Sequence, residues 1–306
     1  LQHAFLLWSL WNGILLIATA RILSQHLFPN WNWHLLTCLS LVFVPLLLNF
    51  VQGQDSLVLL LILVLAFIAI LAKREFHAGC LLACGLFKFH LVLPLVLILA
   101  FSCMRKLRFF SGFLLIAISL LAISLWMSGW GLFASYLHLL LGLQRLPLGG
   151  ANPAEMANLR GLFALLFQRH SVAALVATLA CSLLLLWTTI GEWRQAANAD
   201  EKILALTFAN SALAAVMVGY HLSPHDLTLL LLPLSLITGY VFANKNMPGW
   251  LRYWIIVSEI VIFLPPLYVL LLRRHTYAYA AIPVLILFVA THLVIKRVSP
   301  RLAAER

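Results

Sequence analysis

The sequence predicts an all-α fold, a polytopic bundle of about ten to eleven transmembrane segments. Two observations carry that prediction. Of the 306 residues, 64% are hydrophobic and only 9% are charged, where a soluble domain has roughly 45–50% and about 25%. The apolar residues also run in continuous stretches of about 17–25, the length that crosses hydrocarbon as a helix. A mean hydropathy of +1.03 agrees. Because these runs do not alternate, a transmembrane β-barrel is excluded. A backbone in lipid must satisfy its polar groups internally, which leaves helices.

Taken in order, spans are expected near 4–23, 35–51, 56–72, 109–128, 171–190, 203–221, 226–243, 252–272 and 278–296. Region 77–104 is too long for one ordinary span and too short for two full ones. Lys88, His90 and Pro94 lie in its middle, so a broken pair of half-helices meeting near Lys88 fits best. The connection 129–170 contains Gly149-Gly150 and Pro153, which make a turn. The LRGLFALLF that follows is apolar but too short to span, and reads as an interfacial helix over the bundle. With no linker or low-complexity tract, 1–306 reads as a single membrane domain. The chain enters an apolar span almost at Leu1, so an N-terminal part is expected to be missing.

The net charge is +11. The basic residues sit in short clusters between spans, such as Lys73-Arg74 and Arg105-Lys106-Leu107-Arg108. That distribution reports topology, not nucleic-acid binding. Let 77–104 cross twice and let the tail with Lys296, Arg297 and Arg301 be cytoplasmic. The same side then receives Arg21, Lys73-Arg74, Arg105-Lys106-Arg108, Arg194 with Lys202, and Lys245 with Arg252. The outer side keeps Arg145, Arg160, Arg169 and Arg273-Arg274. Trp31, Trp33, Trp126, Trp130, Trp187, Trp193, Trp250 and Trp254 fall near span ends, as an interfacial belt does; Trp8 and Trp11 do not. Cysteines 38, 80, 84, 103 and 181 form no CxxC pair and read as packing, so no metal is expected.

This topology gathers polar groups on the outer side. The loop VQGQDS places Gln52, Gln54 and Asp55 at the boundary, and Lys88 and His90 sit at the tip of the broken pair. Asn158 and Arg160 lie in the long connection, and His221, His225 and Asp226 face the same compartment. Lys88 facing lipid would cost about 2.5–3.5 kcal/mol, so a pocket role holding an anionic phosphate is preferred, helped by free backbone groups at a helix break. Asp226 has a simpler reading as a cap in Ser-Pro-His-Asp, and Asp55 as a turn residue capping the next span. Two imidazoles beside a carboxylate suit sugar hydroxyls or proton handling. Glu259, inside a span, reads as an interhelical hydrogen bond to Ser258 or a neighbour.

The runs PLLLNFVQGQDSLVLLL, AGCLLACGLFKFHLVLPLVLIL, NLRGL and SPHDLTLLLLPL, in this order and spacing, resemble glycosyltransferase family 87. The resemblance implies a GT-C-like fold and a polyprenyl-phosphate-mannose-dependent membrane mannosyltransferase. The donor would be a polyprenyl-phosphate hexose, the acceptor a lipid-linked or membrane-near glycan, and the outcome inversion. Beyond the donor substrate no cofactor is implied. The partners would be membrane lipids, the donor and a glycolipid acceptor. The location would be a bacterial plasma membrane, with the site facing outward. By motif position Lys88 would meet the phosphate, Gln54 and Asp55 would line the pocket, and His221, His225 and Asp226 would contact sugar or acceptor, with His90, Asn158 and Arg160 completing the substrate-binding set.

The family pattern usually has its catalytic acid in the first outer loop, and no acid precedes Asp55 here. The base is therefore expected upstream of Leu1, with Asp55 or Asp226 as substitutes, and the chain alone is expected to be inactive. A multi-span transporter and a non-catalytic membrane protein are the rival readings. The first would need polar groups in the inner half, where Glu259 and Asn210 stand out.

Overall fold

The computed structural model describes residues 2–28, 31–102, 106–142, 152–168, 170–196 and 200–304. Cys103, Arg105, Arg145, Gly149-Gly150 and Arg169 lie outside the described residues. Among the described residues there is no strand. The helices are α1 (Gln2–His26), α2 (Trp33–Leu41), α3 (Val44–Val51), α4 (Ser56–Leu71), α5 (Glu75–Cys84), α6 (Phe89–Ser102) and α7 (Lys106–Gly142). They continue with α8 (Leu159–Phe167), α9 (Ser171–Ala196), α10 (Glu201–Val218), α11 (Leu231–Ala243), α12 (Gly249–Phe263), α13 (Pro265–Arg273) and α14 (Ala281–Ala304).

Seven of the described helical runs are long and apolar enough to cross a membrane, or nine if the bent pairs α2–α3 (76°) and α12–α13 (58°) each count once. The expectation of ten to eleven differs at two places. It includes α4, which has 16 residues, and it counts 75–101 twice. By length and hydropathy alone, Glu75–Phe101 passes for one 27-residue span. Its geometry is not that of one straight helix. In an α-helix residues seven apart are about 10 Å apart along the axis. Here a Cβ on Gly85 would lie 3.0 Å from Val92 Cγ2 and 2.8 Å from Leu59 Cδ1. The path turns back through the 3-10 turn Gly85–Lys88 that joins α5 to α6. Leu91, Val92 and Leu95 of α6 then line a small cavity with Leu59 and Leu63 of α4. Lys88 stands at the apex of the turn.

The core is built around α10 and α11. Ala209, Ala212, Ala214 and Ala215 of α10 are buried, and small side chains let helices approach closely where lipid supplies no hydrophobic drive. Phe208 stacks on Phe67 of α4 with ring centroids 4.6 Å apart. By contrast α7 and α9 are peripheral. Trp126 is 85% exposed and Leu183 67%, and such surfaces are stable only against lipid chains.

Three expectations need correction. The chain does not leave its helix at residue 128: α7 bends at Gly129 (φ 72) and runs on to Gly142, so the connection begins later than 129. The nine-residue helix α8 does occupy the apolar LRGLFALLF stretch. Trp193 is not an interfacial residue. It is buried, and its Nε1 donates to Ser211 Oγ at 2.8 Å.

An apolar groove of about 650 Å³ opens between α2, α11 and α12. Glu259 lines it and accepts from Thr238 Oγ1 at 2.9 Å, so the expected interhelical bond goes to α11 and not to Ser258. None of the groove's lining residues belongs to the polar cluster described next.

Candidate functional site

The α3–α4 loop carries the first part of the site. Gly53 takes φ +63, a left-handed conformation that side-chain-bearing residues avoid. The turn it makes is held from α1: Trp8 Nε1 and Asn12 Nδ2 both donate to Gln54 O, at 3.2 and 3.3 Å. Asn12 Oδ1 accepts from Asn49 Nδ2 at 3.4 Å, and Asn49 Oδ1 accepts from Ser56 N at 3.1 Å. Asp55 precedes α4, but its side chain makes no cap hydrogen bond there. It turns to Lys88 instead.

Lys88 is 7% exposed and joins three segments. Its Nζ lies 2.9 Å from Asp55 Oδ1 and 2.5 Å from Asp226 Oδ1. It also donates to Ser56 Oγ at 2.8 Å, and Ser56 Oγ donates to Asp226 Oδ1 at 3.2 Å. Asp226 opens the 3-10 helix Pro224–Leu230, and its Oδ2 accepts from Ser223 N at 2.9 Å. It therefore serves as helix-start acceptor and ion-pair partner at once. His225 Nδ1 meets Gln52 Oε1 at 2.6 Å, and its Nε2 lies 3.6 Å from Asp226 Oδ1. A buried charge needs such partners, and these hold residues far apart in sequence at one end of the bundle.

A second group flanks the first. Asn158 is fully buried, accepts from Gly161 N at 2.9 Å and donates to Gly219 O at 2.6 Å. Its side chain thus ties the start of α8 to the loop before Asp226. Gly161 is required by close approach: a Cβ there would stand 2.0 Å from Met156 O and 2.5 Å from Pro153 O. The tie presents Arg160, whose guanidinium lies 4.2 Å over the Tyr220 ring and donates to Tyr220 O at 3.0 Å. Beside it, His221 and His90 meet edge to face at 5.9 Å. The His221 pKa is lowered by burial first, with Arg160 and Lys88 pushing the same way and Asp226 opposing.

The nine residues singled out in the sequence thus fall into one neighbourhood. Asp55, Lys88, His225 and Asp226 form its buried centre, and His90, Asn158, Arg160 and His221 its flank. Gln54 contributes its carbonyl oxygen to the α1 contact, while its side-chain Nε2 donates to Gln52 O at 3.5 Å. Sequence reasoning gave no role to Ser56, Asn49, Asn12 or Tyr220. A serine or asparagine at a span end is ordinary, and only the Lys88 contact singles out Ser56. No group of three metal-ligating side chains occurs among the described residues.

The family model for glycosyltransferase family 87 matches residues 1–219. The chain belongs to glycosyltransferase family 87. No curated protein and no solved structure matches it. Membership makes this integral membrane protein a membrane glycosyltransferase. The family match takes in Gln54, Asp55, Lys88, His90, Asn158 and Arg160. His221, His225 and Asp226 come after it in the chain, and join the neighbourhood by direct contact.

Proposed function

We propose that this family 87 enzyme transfers a hexose, in the first instance mannose, from a polyprenyl-phosphate sugar to a lipid-linked or membrane-near glycan. The reaction takes place at the non-cytoplasmic face of a bacterial plasma membrane. The observation that carries the reading is the convergence of Asp55, Lys88 and Asp226 at one end of an apolar bundle. Sugar transfer needs a carboxylate that can reach an acceptor hydroxyl and take its proton. Of the two acids, Asp226 has a side chain only 4% exposed, while that of Asp55 is 39% exposed. Both Asp226 oxygens are engaged, by Lys88, Ser56 and Ser223. Asp55 is accordingly the base among the described residues. Lys88 holds it ionised and aimed, and direct displacement at the anomeric carbon inverts its configuration.

The test is transfer of labelled mannose from polyprenyl-phosphate mannose to a membrane glycolipid by the purified enzyme and its Asp55→Asn variant. Loss of a general base lowers the rate by about 10²–10⁴-fold. A variant as fast as the parent would remove Asp55 from the reaction.

A further inference from the structure

The centre of the site is a poor place for an anion. One ammonium, on Lys88, faces two carboxylates at 2.5 and 2.9 Å. A phosphate brought to Lys88 would meet both negative groups at short range, in surroundings that screen charge weakly. The flank has the opposite character. Arg160 has no carboxylate partner among the described residues; its described bond goes to a carbonyl oxygen. A guanidinium presents several donors in a plane suited to phosphate oxygens, and this one is braced on the Tyr220 ring. His90 Nε2 is buried and has no hydrogen-bond partner among the described residues, which asks for a ligand or water. His221 lies between His90 and Arg160 in this row.

We propose that Arg160, His221 and His90 hold the phosphate of the lipid-linked donor, and that Lys88 is a positioning residue that fixes Asp55 and Asp226. This rests on the transfer reading above. In the reaction the acceptor hydroxyl gives its proton to Asp55 and its oxygen bonds to the anomeric carbon. The bond from that carbon to the phosphate oxygen breaks, and its electron pair stays on the phosphate. The donor is a phosphodiester and the product a phosphomonoester, so negative charge grows on the phosphate as the sugar leaves. That growth is met by a cation and two imidazoles. The same charge at Lys88 would be opposed by its two carboxylates.

The test is binding of farnesyl phosphate, with farnesol as the uncharged control, to the purified full chain and its variants, with thermal melting to check folding. Arg160→Gln is expected to weaken farnesyl phosphate by about 10-fold or more, the strength of a charge-assisted contact, and to leave farnesol unchanged. His221→Gln weakens it less. Arg160→Lys keeps the charge without the fork, loses an intermediate amount, and carries the test if Arg160→Gln does not fold. Asp55→Asn binds farnesyl phosphate as well as the parent or better, although transfer is lost. Unchanged phosphate binding in both Arg160 variants overturns the assignment while leaving the transfer reading intact. Failure of the parent to bind farnesyl phosphate at all overturns the transfer reading and this proposal with it.

Discussion

Asp55 and Asp226 touch the same ammonium, yet their surroundings make them unequal. Asp226 is almost wholly buried against Lys88. Removing one partner of such a pair leaves a charge without compensation, at about 3–5 kcal/mol. Asp226→Asn is therefore expected to lower the melting temperature of the purified protein strongly, whereas Asp55→Asn, with a side chain 39% exposed, changes it little. Equal destabilisation by both would contradict the division between anchor and base. His221 makes a separate prediction. Burial holds its pKa below the ordinary 6.5, so in acid the unfolded chain binds a proton that the folded one resists. Its contribution to stability is intact above the ordinary pKa and is lost as pH falls through and below it. A His221→Gln variant should show a shallower fall in melting temperature from about pH 7 to pH 5 than the parent. At this scale the charged residues were legible because each breaks an apolar run. Their partners Ser56 and Gln52 were not, since a neutral polar side chain at a span end is unremarkable in sequence.

At the scale of elements, the sequence marks where helices are but not where they end or bend. The run through 109–128 was legible, yet α7 goes on past Gly129, because a single glycine can bend a helix without stopping it. A network between α9, α10 and α14 was missed altogether. Glu192 accepts from Asn210 Nδ2 at 2.7 Å and contacts His292 of α14. In sequence Glu192 lies in GEWRQ, which resembles the end of a span; the structure buries it to 1% exposure. The NLRG segment shows how one short element sets the geometry of another. Asn158 and Gly161 let α8 start against the 219–226 loop. A methyl group at 161 meets backbone oxygens, which cannot move aside as a side chain tip does. Gly161→Ala is expected to displace the start of α8 and Arg160 with it. Donor KM should then rise, with a lower melting temperature. An unchanged KM would separate α8 from the donor site.

For the whole molecule, the turn at Gly85–Lys88 decides which ends of the helices share a side. If the chain reverses there, as the approach of Gly85 to Val92 requires, residues before α5 and residues at the start of α7 lie on the same face. The basic clusters near Lys73 and Arg108 then fall together, which is the arrangement favoured for cytoplasmic segments. If α5 and α6 instead formed one crossing, the two clusters would lie on opposite faces and Lys88 would stand alone near mid-membrane, at about 2.5–3.5 kcal/mol. Cysteine labelling with a membrane-impermeant reagent separates the cases, in a variant without the native cysteines. Lys73→Cys and Arg108→Cys should be protected in intact cells and labelled only after permeabilisation. Tyr220→Cys, 49% exposed at the end that holds Lys88, should be labelled in intact cells. Labelling of Lys73→Cys and Arg108→Cys from opposite sides would undo the reversal. Labelling of Tyr220→Cys only from within would place sugar transfer on the cytoplasmic face.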